Sequence, residues 1–411
     1  MKLRLIVNWL NKRIPKKNIV LFNSFPDISG NSWAVYCYIK RERPDLQKKY
    51  RLIWSVGKKE VYFARKKIED FQKTLSTGHN KTEICIKKSI RGIWLYCCAQ
   101  YFITTHNYFT GVNTTRDQKN INLWHGMPLK RIGKYLDDQE HDNIQADCTI
   151  ATSSFFQKVM EKAFDLPDKD VWITGQPCND VFFEQTDALF RLGIQKSKYE
   201  KIIIWMPTYR TSVVGEIRCD GDADGFGVVS LLRENIKSLN DLLKKKGYLL
   251  LIKPHPMDMI NEMNLENSEN LWIIRGKELC NKNVELYELL AETDVLMTDY
   301  SSVYVDYLLL KKPIAFFCND MEAYEKSRGF CFPSIMELLP GEKIYNEKDF
   351  WNYLENLDDL NDRWIWERER ICELFYQNQD NNSSKRVCER IFGKMSDECY
   401  EKDFNNSGSC L

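Results

Sequence analysis

The chain has 411 residues, 43% of them hydrophobic and 13% aromatic, and its 59 basic and 58 acidic side chains leave a net charge of +1. That is too long for one ordinary core and too apolar for global disorder, and the balanced charge lacks the basic excess of a nucleic-acid binder. No apolar run is long enough for a spanning helix, and the 14 cysteines form no CxxC, so they read as small buried side chains of a reducing compartment.

The first residues, MKLRLIVNWLNKRIPKK, are not a secretory leader, because Asn8 and Asn11 interrupt the apolar stretch. Leu3, Leu5, Ile6, Trp9 and Leu10 interleave with Lys and Arg. This is a short basic amphipathic helix, which either packs on its own domain or lies on an anionic membrane. Strands are expected at 19–22, 52–56, 101–105, 122–124, 148–151 and 171–174, with helices at 33–41, 90–100 and 153–164 between them. A polar helical stretch at 185–200 marks a boundary, and the alternation restarts. Strands follow at 202–205, 248–252, 271–274, 295–298 and 314–317, and helices at 231–246, 284–291, 303–310 and 348–357. Residues 215–227, GEIRCDGDADGFG, lack EF-hand spacing and read as a surface loop or lid. Helical segments fill 351–377 and 383–395, before a frayed tail.

This pattern predicts an α/β protein of two βα domains, 1–188 and 189–376, followed by a C-terminal helix and tail at 377–411. The GxGxxG, GxxxxGK[ST] and GxSxG motifs are all absent, which removes support for nicotinamide, ATPase and serine-esterase chemistry.

Polar residues gather where apolar runs end. His125, in NLWHGMPLKRIG, follows a strand and is a candidate general base near neutral pH. Gly126 allows close approach, and Lys130 adds positive charge. Lys253 and His255, in IKPHP, are candidate phosphate ligands on a proline-stiffened turn. Thr208 and Arg210 follow the first strand of the second half, and Arg210 suits charge-assisted bonds to phosphate. Asp299, Ser301 and Ser302 open a helix, where hydroxyls cap amides and the same amides hold anions. Asn23, Ser24, Gly30, Asn31 and Ser32 follow the first strand and either position an acceptor or hold the fold. No acidic cluster demands a metal, so no cofactor is required, and Mg²⁺ is the one cation the chemistry leaves room for.

These segments together resemble the CDP-glycerol glycerophosphotransferase family of teichoic-acid primases and polymerases. The motifs in order are FNSFPDISGNSW (22–33), NLWHGMPLKRIG (122–133), ATSSFF (151–156), GQPCND (175–180), WMPTYR (205–210), IKPHP (252–256), TDYSSVYVDYLLLKKP (298–313) and YEKSRGFCF (324–332). The resemblance implies a GT-B-like fold, with two Rossmann-like domains facing across a cleft. It implies transfer of a polyol phosphate from CDP-glycerol or CDP-ribitol to a polyprenyl-diphosphate-linked saccharide or growing polymer, with release of CMP. The enzyme would work peripherally at the cytoplasmic face of the bacterial membrane. His125 would be the base, and Arg210, His255, Asp299, Ser301, Ser302, Arg328 and Gly329 would surround the donor phosphates. Asp180 would be an acceptor-side or structural residue. One departure concerns position 178, where the family often carries arginine and this chain has Cys178 in GQPCND. Two other readings are a nucleotide-sugar GT-B glycosyltransferase and an inactive module that binds the lipid-linked saccharide.

Overall fold

The computed structural model describes residues 2–75, 82–136, 144–208, 227–255, 266–358 and 362–395. Arg210, the expected lid at 215–227 (except Gly227) and the tail at 401–411 lie outside the described residues. The chain divides into two compact units, one of 1–125, 142–180 and 380–411, the other of 126–141 and 181–379. The sequence placed one cut after residue 188 and a separate segment after 376. In the structure, 126–136 group with the second unit and 380–395 with the first.

The first unit is built on β1 (Lys17–Asn23), β2 (Arg51–Val56), β3 (Glu83–Ile86), β4 (Ala99–Thr104), β5 (Lys119–Asn122), β6 (Cys148–Ala151) and β7 (Val171–Ile173). They form a parallel sheet of order β3-β2-β1-β4-β5-β6-β7. Strands such as KNIVLFN are apolar without alternation because helices cover both faces of a parallel sheet. On one face Phe22 stacks on Trp54 at 5.3 Å and Trp33 on Tyr36 at 5.2 Å. Helix Gly30–Glu42 packs there against helix Ser383–Phe392, whose Val387 and Cys388 are part of the same core.

The second unit carries β8 (Lys201–Met206), β9 (Tyr248–Ile252), β10 (Leu271–Ile273), β11 (Val295–Thr298), β12 (Ile314–Phe317) and β13 (Glu342–Ile344). All pair in parallel, in the order β10-β9-β8-β11-β12-β13. Trp205 stacks on Phe317 at 4.4 Å in its core. Both sheets run outward in two directions from their first strand. The crossovers therefore reverse between β1 and β4 and between β8 and β11, and ligands in such sheets bind at the carboxyl ends of the strands where the order reverses.

Several expectations shift. The strands β3 and β13 are short edge segments, EICI and EKI, whose charged residues hid them from a hydrophobic reading. The strand expected at 122–124 ends at Asn122, and Trp124 takes a left-handed φ of 52°. The expected helix at 231–246 is two helices, Val228–Glu234 and Ile236–Lys246, broken at Asn235. The N-terminal stretch is a helix, Lys2–Asn11. The asparagines that interrupt its apolar face moor it: Asn8 Nδ2 donates to Gly111 O at 3.0 Å and Asn11 Nδ2 to Gln118 Oε1 at 2.8 Å.

Candidate functional site

In the first unit the segments that follow β1, β5 and β7 bring parts of three expected motifs together, FNSFPDISGNSW, NLWHG and GQPCND, beside the end of β4. Thr105 follows β4, and its carbonyl oxygen lies 3.0 Å from Nδ1 of His125. A carbonyl only accepts, so Nδ1 carries the proton and Nε2 of the neutral ring is the basic nitrogen. The imidazole is exposed and lies over Trp124, ring centres 4.2 Å apart. His125 thus has the orientation and tautomer a general base needs.

Asn31 organises the surroundings. Buried at the start of its helix, it donates from Nδ2 to the carbonyls of Leu123 at 3.0 Å and Trp124 at 3.2 Å, and its Oδ1 accepts from the Cys178 amide at 3.0 Å. It ties the His125 loop to the GQPCND loop. Ser32 Oγ bridges the carbonyls of Asn23 and Ile103, joining β1 to β4. Ser24 Oγ donates to Pro26 O and accepts from the Ser29 amide, which shapes the FPDIS turn. Gly30 has a φ of +60°, and a Cβ there would meet no atom within 4 Å. Asp180 accepts from the amides of Ser383 and Ser384 at 2.9 and 2.8 Å, at the start of the C-terminal helix, and burial raises its carboxyl pKa against those bonds. Of the two roles left open for these residues, the contacts of Ser24, Asn31, Ser32 and Asp180 are those of a scaffold that aims the loops.

A further group was missed in the sequence. Lys87, just past β3, donates to Asn23 Oδ1 at 3.0 Å, lies 3.2 Å from His106 Nε2 and sits 4.9 Å from the Tyr108 ring centre. Asn23 Nδ2 in turn donates to Ser55 O at 2.7 Å. Burial lowers the Lys87 pKa to about 8. Burial, and then the charge of Lys87, lower that of His106 to about 4. Neither motif spacing nor periodicity flags such a pair, because the residues come from different strands.

In the second unit, Thr208 beyond β8 and Asp299 beyond β11 meet across the switch point. Asp299 Oδ2 accepts from the Thr208 amide at 2.9 Å and from Thr208 Oγ1 at 2.5 Å. Lys253, beyond β9, is buried, and desolvation lowers its pKa to about 8, with Nζ donating to Pro254 O at 2.9 Å. His255 is half-buried two residues on. Ser301 and Ser302 precede helix Val303–Tyr307, but Ser302 has helical dihedrals and makes no side-chain cap, contrary to expectation. Its Oγ lies instead against Gly126, where a Cβ would come within 2.7 Å at a φ of +143°. Asp306 accepts from the hydroxyls of Tyr287 at 2.8 Å and Tyr376 at 3.0 Å.

The residues after His125 lie along YEKSRGFCF. Lys130 and Phe330 form an antiparallel bridge, the Arg131 amide donates to Gly329 O at 3.1 Å, and the Cys331 amide donates to Leu129 O at 2.7 Å. Gly329, at φ +68°, leaves room for the Arg131 side chain, whose Nε a Cβ would approach to 3.0 Å. Arg328 Nε is buried with no hydrogen-bond partner among the described residues. A guanidinium left this way is suited to an incoming anion. Among the described residues no group of three or more His, Cys, Asp or Glu could hold a metal ion, and no helix is long and apolar enough to cross a membrane.

The family model described as CDP-Glycerol:Poly(glycerophosphate) glycerophosphotransferase matches residues 6–393. A teichoic acid poly(glycerol phosphate) polymerase of Staphylococcus epidermidis is 25% identical, over 93% of this chain and 52% of its own length. A teichoic acid ribitol-phosphate polymerase TarL of Staphylococcus aureus is also 25% identical, over 92% of this chain and 63% of its own. The chain therefore spans about half to two thirds of these two relatives. A teichoic acid glycerol-phosphate transferase of Staphylococcus aureus is 24% identical and matches at nearly full length, 93% of this chain and 95% of its own. A solved structure of the wall teichoic acid polymerase TagF, an H-to-N variant soaked with CDPG, superposes with a TM-score of 0.72 at 23% identity, over 94% of this chain and 92% of that one, a likeness of fold.

Proposed function

The chain belongs to the CDP-glycerol:poly(glycerophosphate) glycerophosphotransferase family, and from that premise we propose that it transfers glycerol phosphate from CDP-glycerol to a hydroxyl of a polyprenyl-diphosphate-linked saccharide or growing polymer. The observation that carries this reading is the match along 6–393 together with an exposed His125 pinned in the tautomer of a base. The acceptor hydroxyl attacks the β-phosphorus, and a new P–O bond forms as the bond to CMP breaks. Nε2 of His125 takes the hydroxyl proton, and CMP leaves with the electron pair. Lys253, His255, Arg328 and the Asp299–Thr208 pair would hold the diphosphate and balance its growing charge. Arg210 would join them.

CDP-ribitol is the second donor reading, favoured by equal identity to a ribitol-phosphate polymerase. The reading also places the protein peripherally at the cytoplasmic face of the membrane. Helix Lys2–Asn11 supports this: Leu3, Leu5, Ile6 and Trp9 are exposed beside Arg4, Lys12 and Arg13. It packs against helix Ile90–Cys98, where Leu95, Tyr96, Cys97 and Cys98 are buried but Ile90 and Trp94 are exposed. A basic-rimmed apolar patch of this kind suits an anionic lipid surface.

The test is CMP release by purified protein given CDP-glycerol or CDP-ribitol and a lipid-linked saccharide, with mass analysis of the product. Acceptor-dependent CMP and a mass gain of one or more polyol phosphates support the reading. A nucleoside diphosphate and a glycoside would show a glycosyltransferase, and acceptor binding without turnover an inactive module.

A further inference from the structure

Lys87 is a half-buried ammonium whose direct partners are all neutral: an amide oxygen, an imidazole nitrogen and an aromatic face. Asp27 acts on it through its field, and its carboxylate accepts from the Gly57 amide at 2.7 Å, without an ion pair to Lys87. Because an ammonium only donates, His106 Nε2 accepts, and the proton sits on Nδ1. That nitrogen is buried with no partner among the described residues. A cation partly removed from water, with its nearest carboxylate bonded elsewhere, is costly, and an anionic oxygen in direct contact relieves the cost.

The place of this cation narrows the anion. His106 follows the residue whose carbonyl orients His125, and its ring lies within electrostatic reach of His125. Thr105 and His106 thus link His125 and Lys87 through adjacent residues, so that in the transferase reading an anion at Lys87 would belong to the acceptor side. In a polyol phosphate chain the group attached to the attacking hydroxyl carries a phosphodiester one polyol away, whereas a sugar acceptor lacks one.

We propose that Lys87, held by Asn23 and His106, is an anion subsite for the terminal phosphate of an acceptor that already carries a polyol phosphate. It makes the protein select such chains over bare saccharide. This inference rests on the transferase reading above and names the acceptor class for the same site. Lys87 binds substrate in this scheme, and His106 is a positioning residue.

The experiment compares two lipid-linked acceptors, the bare saccharide and the same saccharide bearing one glycerol phosphate, by CMP release from CDP-glycerol. It uses the wild type, Lys87→Gln and Lys87→Met. The expected result is that the ratio of kcat/KM for phosphate-bearing over bare acceptor falls at least about tenfold in both variants, while the KM for CDP-glycerol holds, as loss of one charged contact implies. A ratio that does not move in folded variants overturns the inference, as does an equal rise in donor KM, which would assign Lys87 to the donor diphosphate. Should both variants fail to fold, glycerophosphoglycerol decides with the wild type. Competition against the phosphate-bearing acceptor supports the subsite, and lack of competition overturns it. A wild type that releases no CMP with either acceptor overturns the transferase reading itself, a result distinct from active enzyme with an unmoved ratio.

Discussion

The imidazole of His125 is oriented by the carbonyl oxygen of Thr105, 3.0 Å from its Nδ1. A main-chain acceptor cannot itself be protonated at working pH, so it selects a tautomer without adding a charge. Replacing His125 by Ala or Gln is expected to lower kcat by about 10²–10⁴-fold, the usual worth of a general base. The melting temperature should hold, because the ring is exposed. CMP release and thermal melting check the two halves, and unchanged turnover would remove His125 as the base.

Asn31 should be more sensitive to charge than to size. Asn31→Asp keeps the acceptor for the Cys178 amide but turns a buried donor into a carboxylate facing the carbonyls of Leu123 and Trp124. Asn31→Ala should cost about 2–4 kcal/mol for the unpaired groups, and Asn31→Asp more. Urea unfolding gives the order, and the reverse order would mean that these bonds do not hold the loop.

Gly126 and Gly30 both have positive φ but different surroundings. A Cβ at Gly30 meets open space, whereas at Gly126 it meets Ser302 Oγ at 2.7 Å. Gly30→Ala should cost about 1 kcal/mol from its αL dihedral alone, and Gly126→Ala about 1–3 kcal/mol more, from a φ outside αL together with the clash. Comparison of the two midpoints, with Ser302→Gly added to Gly126→Ala, tests this. The added change should recover part of the loss.

Lys253 gives a pH prediction. Its ordinary pKa of 10.5 falls to about 8 in the folded chain through desolvation. Between about pH 8 and 10.5 the unfolded chain binds the extra proton, so stability rises with pH there, and below pH 8 the full penalty is present. Lys253→Met should therefore raise the melting temperature at pH 7, by the equivalent of about 1–3 kcal/mol, and by less at pH 10. The same variant should weaken donor binding. An equal gain at both pH values would show that burial of the charge is not the cause.

The alternation of apolar runs with helical patterns made the two α/β halves legible, because a parallel sheet covered on both faces needs uniformly apolar strands. The motifs placed Thr208, Asp299 and His125 at strand ends, and the structure puts all three there. What was not legible depends on partners far apart in sequence. β3 and β13 are edge strands with charged residues, which a hydrophobic pattern overlooks. Asn31 and Ser32 read equally well as ligand residues until their backbone partners are known. The meeting of Lys87 with His106 has no local signature, since β2 and β1 lie between β3 and β4 in the sheet. Ser302 shows the opposite case, a sequence that suggests a cap where the backbone is already helical.

Helix Ser383–Phe392 completes the core that begins with β1, and Asp180 holds its first amides. During synthesis the ribosome must finish the whole second unit before this helix emerges. Until then the aromatic cluster of Phe22, Trp33 and Trp54 lacks one wall, and a nascent chain stalled near residue 380 would expose a surface that chaperones recognise. The first unit to be translated is thus the last to close.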